Sequence, residues 1–214
     1  VNARATIIAF DGVLADTLPL RAAAVAEGCD ACGVTLPIVE APAPPLPSTH
    51  SLARIEAAVA GLTLEECVTA LLQDHDAIQR DPTLRALASL HAERAYTARL
   101  QRGVPLLPRG HALIHTPPDA AMRLVLRADS TRAQVEPVLR AAGLLDVFAV
   151  IRCADDGAGD HRPSIERSWR ALDARLSRIG IPVPGRVARE ASVKTARIAS
   201  QWAASVSPMP EDHP

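Results

Sequence analysis

The sequence predicts an α/β fold in which a parallel-sheet core is interrupted by an inserted all-helical cap. A short apolar run, ATIIAF at 5–10, ends in Asp11-Gly12, the form of a buried parallel strand that delivers a functional loop. Residues 18 to 104 read as successive Ala- and Leu-rich helical patterns with no strand between them. After Pro105 strand and helix alternate, as a parallel sheet with crossover helices requires. With 214 residues and 48% hydrophobic content, the chain can bury one sizeable core and carry a modest insertion. The expected division is residues 1–17 and 105–214 for the core and 18–104 for the cap.

Each element has its own signal. Within the insertion, Pro37, Pro42, Pro44, Pro45 and Pro47 mark a linker rather than an element. Thr63-Leu64-Glu65-Glu66 has the spacing of a capping box, and Asp81-Pro82 opens another helix. Cys67, with Leu64, Val68, Leu71 and Leu72 at helical spacing, is expected in a core. Strands are expected at 123–128 (RLVLRA), 148–153 (FAVIRC) and about 186–190. The helix after the first of these has a capping box from Thr131 to Gln134, an apolar face of Val135, Val138, Leu139 and Ala142, and Gly143 as its stop. Pro137 inside it conflicts with that reading. A further helix is opened by Pro163, carries Ile165, Trp169, Leu172, Leu176 and Ile179 on one face, and ends at Gly180, so Trp169 reads as packing. Another helix is expected near Ser192.

Composition excludes several function classes. A net charge of -1, dispersed Lys and Arg, and 2% aromatic residues provide neither a phosphate-tracking stripe nor a stacking platform, so no nucleic acid partner is expected. No apolar run reaches membrane-span length, and the first residues lack the pattern of a secretory signal, so a cytoplasmic location is expected. The cysteines at 29, 32, 67 and 153 do not form a dense framework, which fits a reducing compartment. Cys29 and Cys32 have CxxC spacing, open to a redox or half-zinc reading, but with no second pair they read as ordinary helix residues. The seven histidines, including His75, His91, His111, His115 and His161, are expected at the surface or in packing, without ligand spacing on one helix.

The segment AFDGVLADT at 9–17 resembles the first signature of the haloacid dehalogenase (HAD) superfamily, in its phosphatase and phosphoglucomutase-like branch. In that signature a strand ends in Asp-x-Asp-Gly-Thr/Val-Leu. The resemblance implies a Rossmann-like, HAD-like core with a helical cap. It also implies that the first aspartate attacks phosphorus and the second serves as acid and base. The second maps onto Asp11 and the first onto Ala9, whose methyl group can neither attack phosphorus nor ligate a metal.

The remaining signatures are altered too. Ser130 is the candidate for the phosphate-binding Ser/Thr, with Arg127 or Ala128 as alternatives in register. The signature lysine-proline pair reads Arg162-Pro163, which keeps the charge but not the geometry of lysine. The Glu-Asp-Ser signature reads Glu190-Ala191-Ser192, leaving Glu190 and the Asp11 backbone carbonyl as magnesium contacts in a weak or lost site. Asp11 itself reads either as a residual acid/base or as a loop-holding aspartate. Asp16 and Thr17 read as a hinge or as helix-start residues. Asp155-Asp156 is not expected to act as a substitute acid pair, because adjacent residues on an extended chain point apart.

The expected function is therefore a HAD-like protein, catalytically impaired or inactive, with a cap–core cleft that binds a phosphorylated metabolite or a partner through Ser130 and Arg162. The alternatives are a magnesium-dependent phosphohydrolase using a displaced carboxylate and a non-catalytic structural or interaction module. Substrate identity and oligomeric state are not encoded in any motif.

Overall fold

The computed structural model describes residues 4–34, 61–72, 75, 81, 83–115, 122–156, 164–182, 186–190, 196, 199–200 and 205–208. The chain divides into two compact units, Val1–Asp16 with Pro105–Pro214, and Thr17–Val104. The proline-rich stretch, Pro82, His161, Arg162, Pro163, Ala191 and Ser192 lie outside the described residues.

The first unit is built on β1 (Arg4–Ala9), β2 (Met122–Arg127), β3 (Val150–Arg152), β4 (Arg186–Glu190) and β5 (Ser205–Pro208). They form one sheet in the order β3-β2-β1-β4-β5, and every pair is parallel. β1 is central, which explains the burial of all but its first residue: Ala5, Ile7 and Ile8, with Phe10 just beyond the strand, have no exposed surface. Alternate residues Ala5, Ile7, Val125, Val150 and Ala188 pack with Trp169, Leu172, Leu176 and Ile181 in one apolar cluster. Trp169 is thus a packing residue, as its spacing predicts.

Two helices of this unit carry the C-terminal sides of the predicted patterns differently from expectation. The helix Arg132–Ala141 buries Val135, Val138 and Leu139, but Ala142 is its exposed C-cap rather than part of the apolar face. At its start the Thr131 amide donates to Gln134 Oε1 at 3.0 Å, the reciprocal arm of a capping box. Pro137 is tolerated because it and Ala133, whose carbonyl loses its helical partner, are both exposed, so that carbonyl faces water. The helix Ser164–Arg178 ends before Ile179, which is 38% exposed. Gly180, at φ 79°, reverses the chain, and the Ile181 amide donates to the Leu176 carbonyl at 2.9 Å, so Ile181 fills the core place expected of Ile179. Arg186, also buried, pairs with Asp173 and donates to Ser177 Oγ at 3.0 Å and to the Ile181 carbonyl at 2.8 Å, fastening this turn to β4.

The described part of the second unit is helical: α1 (Leu18–Asp30), α2 (Leu64–Leu72) and α3 (Thr83–Gln101). Both predicted start signals act. The Thr63 amide donates to Glu66 Oε2 at 2.8 Å and the Glu66 amide to Thr63 Oγ1 at 3.2 Å, a complete capping box. Asp81 Oδ1 accepts from the Thr83 amide at 3.0 Å, and its bonds to Thr83 hold its carboxyl below the usual range. Leu64, Cys67, Val68 and Leu72 are buried, while Leu71 is only partly so. Arg21 is fully buried, donates to the Leu62 carbonyl and lies 5.9 Å from the Tyr96 ring centroid.

For the rest, α4 is Pro108–His115, α5 is Arg132–Ala141 and α6 is Ser164–Arg178. Among the described residues no helix is long and apolar enough to cross a membrane.

Candidate functional site

The carboxyl edge of the sheet is organised by the turn that follows β1. Leu14 donates to the Ala9 carbonyl at 3.2 Å and Ala15 to the Phe10 carbonyl at 3.0 Å, so residues 10–15 wind into one tight loop. Gly12 permits this at φ 72°, in the left-handed region that a side chain disfavours. α4 clamps the loop: Arg109 donates to the Gly12 carbonyl at 2.6 Å and the Leu107 amide to the Leu14 carbonyl at 2.9 Å. A Cβ on Gly110 would lie 2.5 Å from the Val13 carbonyl oxygen, so only glycine allows this approach.

Inside the loop, Asp11 is 3% exposed and both its carboxylate oxygens are engaged. Oδ2 accepts from the Asp129 amide at 2.9 Å and Oδ1 from the Ser130 hydroxyl at 3.0 Å. Asp11 thus ties the β1 loop to the segment following β2, and Ser130 gives its single hydroxyl proton to that tie.

The strand ends themselves present an unusual row. Ala9 pairs in register with Arg127, and Arg127 with Arg152, so three neighbouring strands carry a methyl and two guanidinium groups on one face. Ala9 is 2% exposed, and its side chain is a methyl group without an oxygen. Arg127 pairs with Asp129 at 2.5 Å, with both side chains buried, and its guanidinium lies 5.6 Å from the centroid of the Trp169 ring. Arg152 pairs with Asp156 at 3.1 Å, and burial draws its pKa down to about 10. Burial pushes the neighbouring Cys153 thiol up to about 12 against the pull of Arg132, so at neutral pH it is protonated and a poor nucleophile.

The two acidic residues after β3 have separate structural tasks. Asp155 Oδ1 accepts from the Arg132 amide at 2.9 Å, capping α5, while Asp156 Oδ2 takes Arg132 at 2.7 Å and the Cys153 amide at 3.0 Å. In the helical unit, Cys29 is buried at the end of α1 and its thiol is raised to about 12, first by burial and then by Cys32, so this CxxC pair does not present an activated thiolate. Thr17 is the N-cap of α1 by position, without a side-chain capping bond.

The sequence offers Arg127 only as an alternative phosphate contact and gives no role to Asp129 or Arg152. Arg127 and Asp129 form a buried ion pair and buried Arg152 pairs with part-exposed Asp156, the signal being an arginine at the carboxyl end of two apolar strand runs. His111 and His115 are exposed, as expected, but the expectation of no ligand spacing on one helix was wrong: they stand four residues apart on α4, and their ring centroids are 4.1 Å apart.

Magnesium asks for oxygen ligands anchored by one or two carboxylates. Ala9 and Ala191 offer no side-chain oxygen, and the Asp11 carboxylate already accepts from two donors. Glu190 ends β4, as expected. Among the described residues no group of three or more His, Cys, Asp or Glu side chains converges to hold a metal.

No protein-family model and no curated protein matches the chain. Solved structures do. CbbY from Rhodobacter sphaeroides in complex with phosphate is 20% identical over 99% of this chain and 90% of that one, with a TM-score of 0.67. A mutant of the same protein in complex with xylulose-(1,5)bisphosphate is 21% identical over 97% and 87%, at 0.68. A haloacid dehalogenase-like family hydrolase from Streptococcus pneumoniae is 14% identical over 95% and 83%, at 0.66. The chain therefore has the fold of the haloacid dehalogenase-like hydrolases, with a Rossmann-like parallel sheet.

Proposed function

We propose that this chain is a HAD-fold protein without phosphoryl-transfer chemistry, one that binds a phosphorylated small molecule at the carboxyl edge of its sheet. Residues 18–104 serve as its helical cap. The reading is carried by the row Ala9-Arg127-Arg152 together with the engaged Asp11. In-line phosphoryl transfer needs an oxygen nucleophile and a neutralising cation. Here the nucleophile position is a buried methyl, and the carboxylate two residues on is buried and holds the loop through two accepted hydrogen bonds.

The ligand class follows from fold and charge. Phosphate and a sugar bisphosphate occupy the similar CbbY structures. Arg162 retains a positive charge where the family signature has lysine, and arginine forks onto phosphate oxygens. Binding through guanidinium needs no magnesium.

The test combines turnover and binding. Hydrolysis of p-nitrophenyl phosphate with magnesium is expected to be absent in the natural protein and in Asp11→Asn, and to appear in Ala9→Asp combined with Ala191→Asp. Calorimetry with inorganic phosphate is expected to show binding that magnesium does not change and Arg162→Ala weakens about tenfold, the loss of one charge-assisted contact. Magnesium-dependent turnover in the natural protein, abolished by Asp11→Asn, would overturn the inactive reading. Absence of phosphate binding would overturn the ligand.

A further inference from the structure

α4 carries two histidines that the carboxyl-edge row does not use. His111 and His115 are both exposed, lie one helical turn apart and therefore share a face, and their rings approach to 4.1 Å between centroids at an interplanar angle of 44°. Imidazole nitrogen is a ligand for zinc, nickel and copper ions, and two imidazoles at i and i+4 converge on one point in space.

The spacing suits a chelate. Two imidazole nitrogens, each about 2.0–2.1 Å from a tetrahedral ion, place their ring centroids roughly 5 Å apart. Reaching that from 4.1 Å needs a small opening of two exposed side chains rather than a backbone movement. We propose that His111 and His115 form a two-imidazole site for a divalent transition-metal ion, with water in the remaining coordination positions. Magnesium and calcium are not its ions, since they take oxygen ligands.

The site shares no residue with the row Ala9-Arg127-Arg152. Its effect is mechanical. α4 has eight residues, too few to hold helical structure on its own. Yet this helix clamps the 10–15 loop through Leu107, Arg109 and Gly110. An ion bridging positions 111 and 115 ties the second turn of α4 to its end, and so stabilises the element on which the loop rests.

The test uses the full-length chain without a histidine tag. Isothermal titration with nickel chloride and, separately, zinc chloride is expected to show one saturable site, weakened at least tenfold by His111→Gln and equally by His115→Gln. In NMR spectra the imidazole resonances of these two residues are expected to move first on adding zinc. Both side chains are exposed, so the variants keep the fold, which far-UV circular dichroism verifies. No saturable binding, or binding that either single variant retains within tenfold, would overturn the proposal.

Discussion

Asp129 illustrates how much of this protein rests on single charged residues. Its carboxylate accepts from Arg127, and its backbone amide holds Asp11. Removing one partner of a buried ion pair strands the other, which costs about 3–5 kcal/mol, whereas an exposed pair would cost little. Asp129→Ala is accordingly expected to lower unfolding free energy by about 3–5 kcal/mol in urea titration. Asp11→Asn should cost about 1–3 kcal/mol by the same measurement, because two hydrogen bonds to a charged carboxylate give way to weaker neutral ones. A stability loss without any change in turnover marks Asp11 as a loop-holding residue. The sequence displays Ala9 and Asp11 plainly, since both fall within one contiguous signature. Arg127 and Asp129 were less legible: an arginine ending an apolar run takes its meaning from a partner two residues on and from the Trp169 ring of a distant helix.

Elements show the same contrast between local and non-local information. Strand β4 and the Thr63 capping box stand where the text places them; a cap is set within a few residues. β3 is only Val150–Arg152, shorter than the apolar run FAVIRC at both ends; at its carboxyl end the Cys153 amide is taken by the Asp156 carboxylate instead of a strand partner. The approach of α1 to α3 has no local signal at all. A Cβ at Gly28 would lie 2.5 Å from the Ala88 carbonyl oxygen and 2.8 Å from the Ala92 nitrogen, both rigid backbone atoms. Gly28→Ala therefore has to push the helices apart, and the gain in helix propensity, about 1 kcal/mol, does not offset an overpacking cost of about 1–3 kcal/mol. Thermal unfolding should show a lower midpoint for Gly28→Ala. An unchanged or higher midpoint would mean that the helices separate freely.

At the scale of the whole molecule, the first unit is made of two segments of chain that meet side by side. The chain leaves it after Asp16 and returns at Pro105. At that crossing the Asp16 amide donates to the Pro105 carbonyl at 3.0 Å and Ala15 forms an antiparallel bridge with Leu106, so the two backbones are neighbours. Antiparallel neighbours can be joined by a turn of two to four residues, for which Asn-Gly is suited. Replacing Thr17–Val104 with such a turn tests whether the sheet unit is a domain in its own right. Its apolar cluster, its five strands and the Arg127–Asp129 pair all lie within it, and none draws a residue from the excised segment. The shortened chain is expected to unfold in a single cooperative urea transition and to keep its near-ultraviolet signal from the buried Trp169. A gradual transition with that signal lost would show instead that the helical segment is needed to complete the core, and that the insertion is part of the fold rather than a cap upon it.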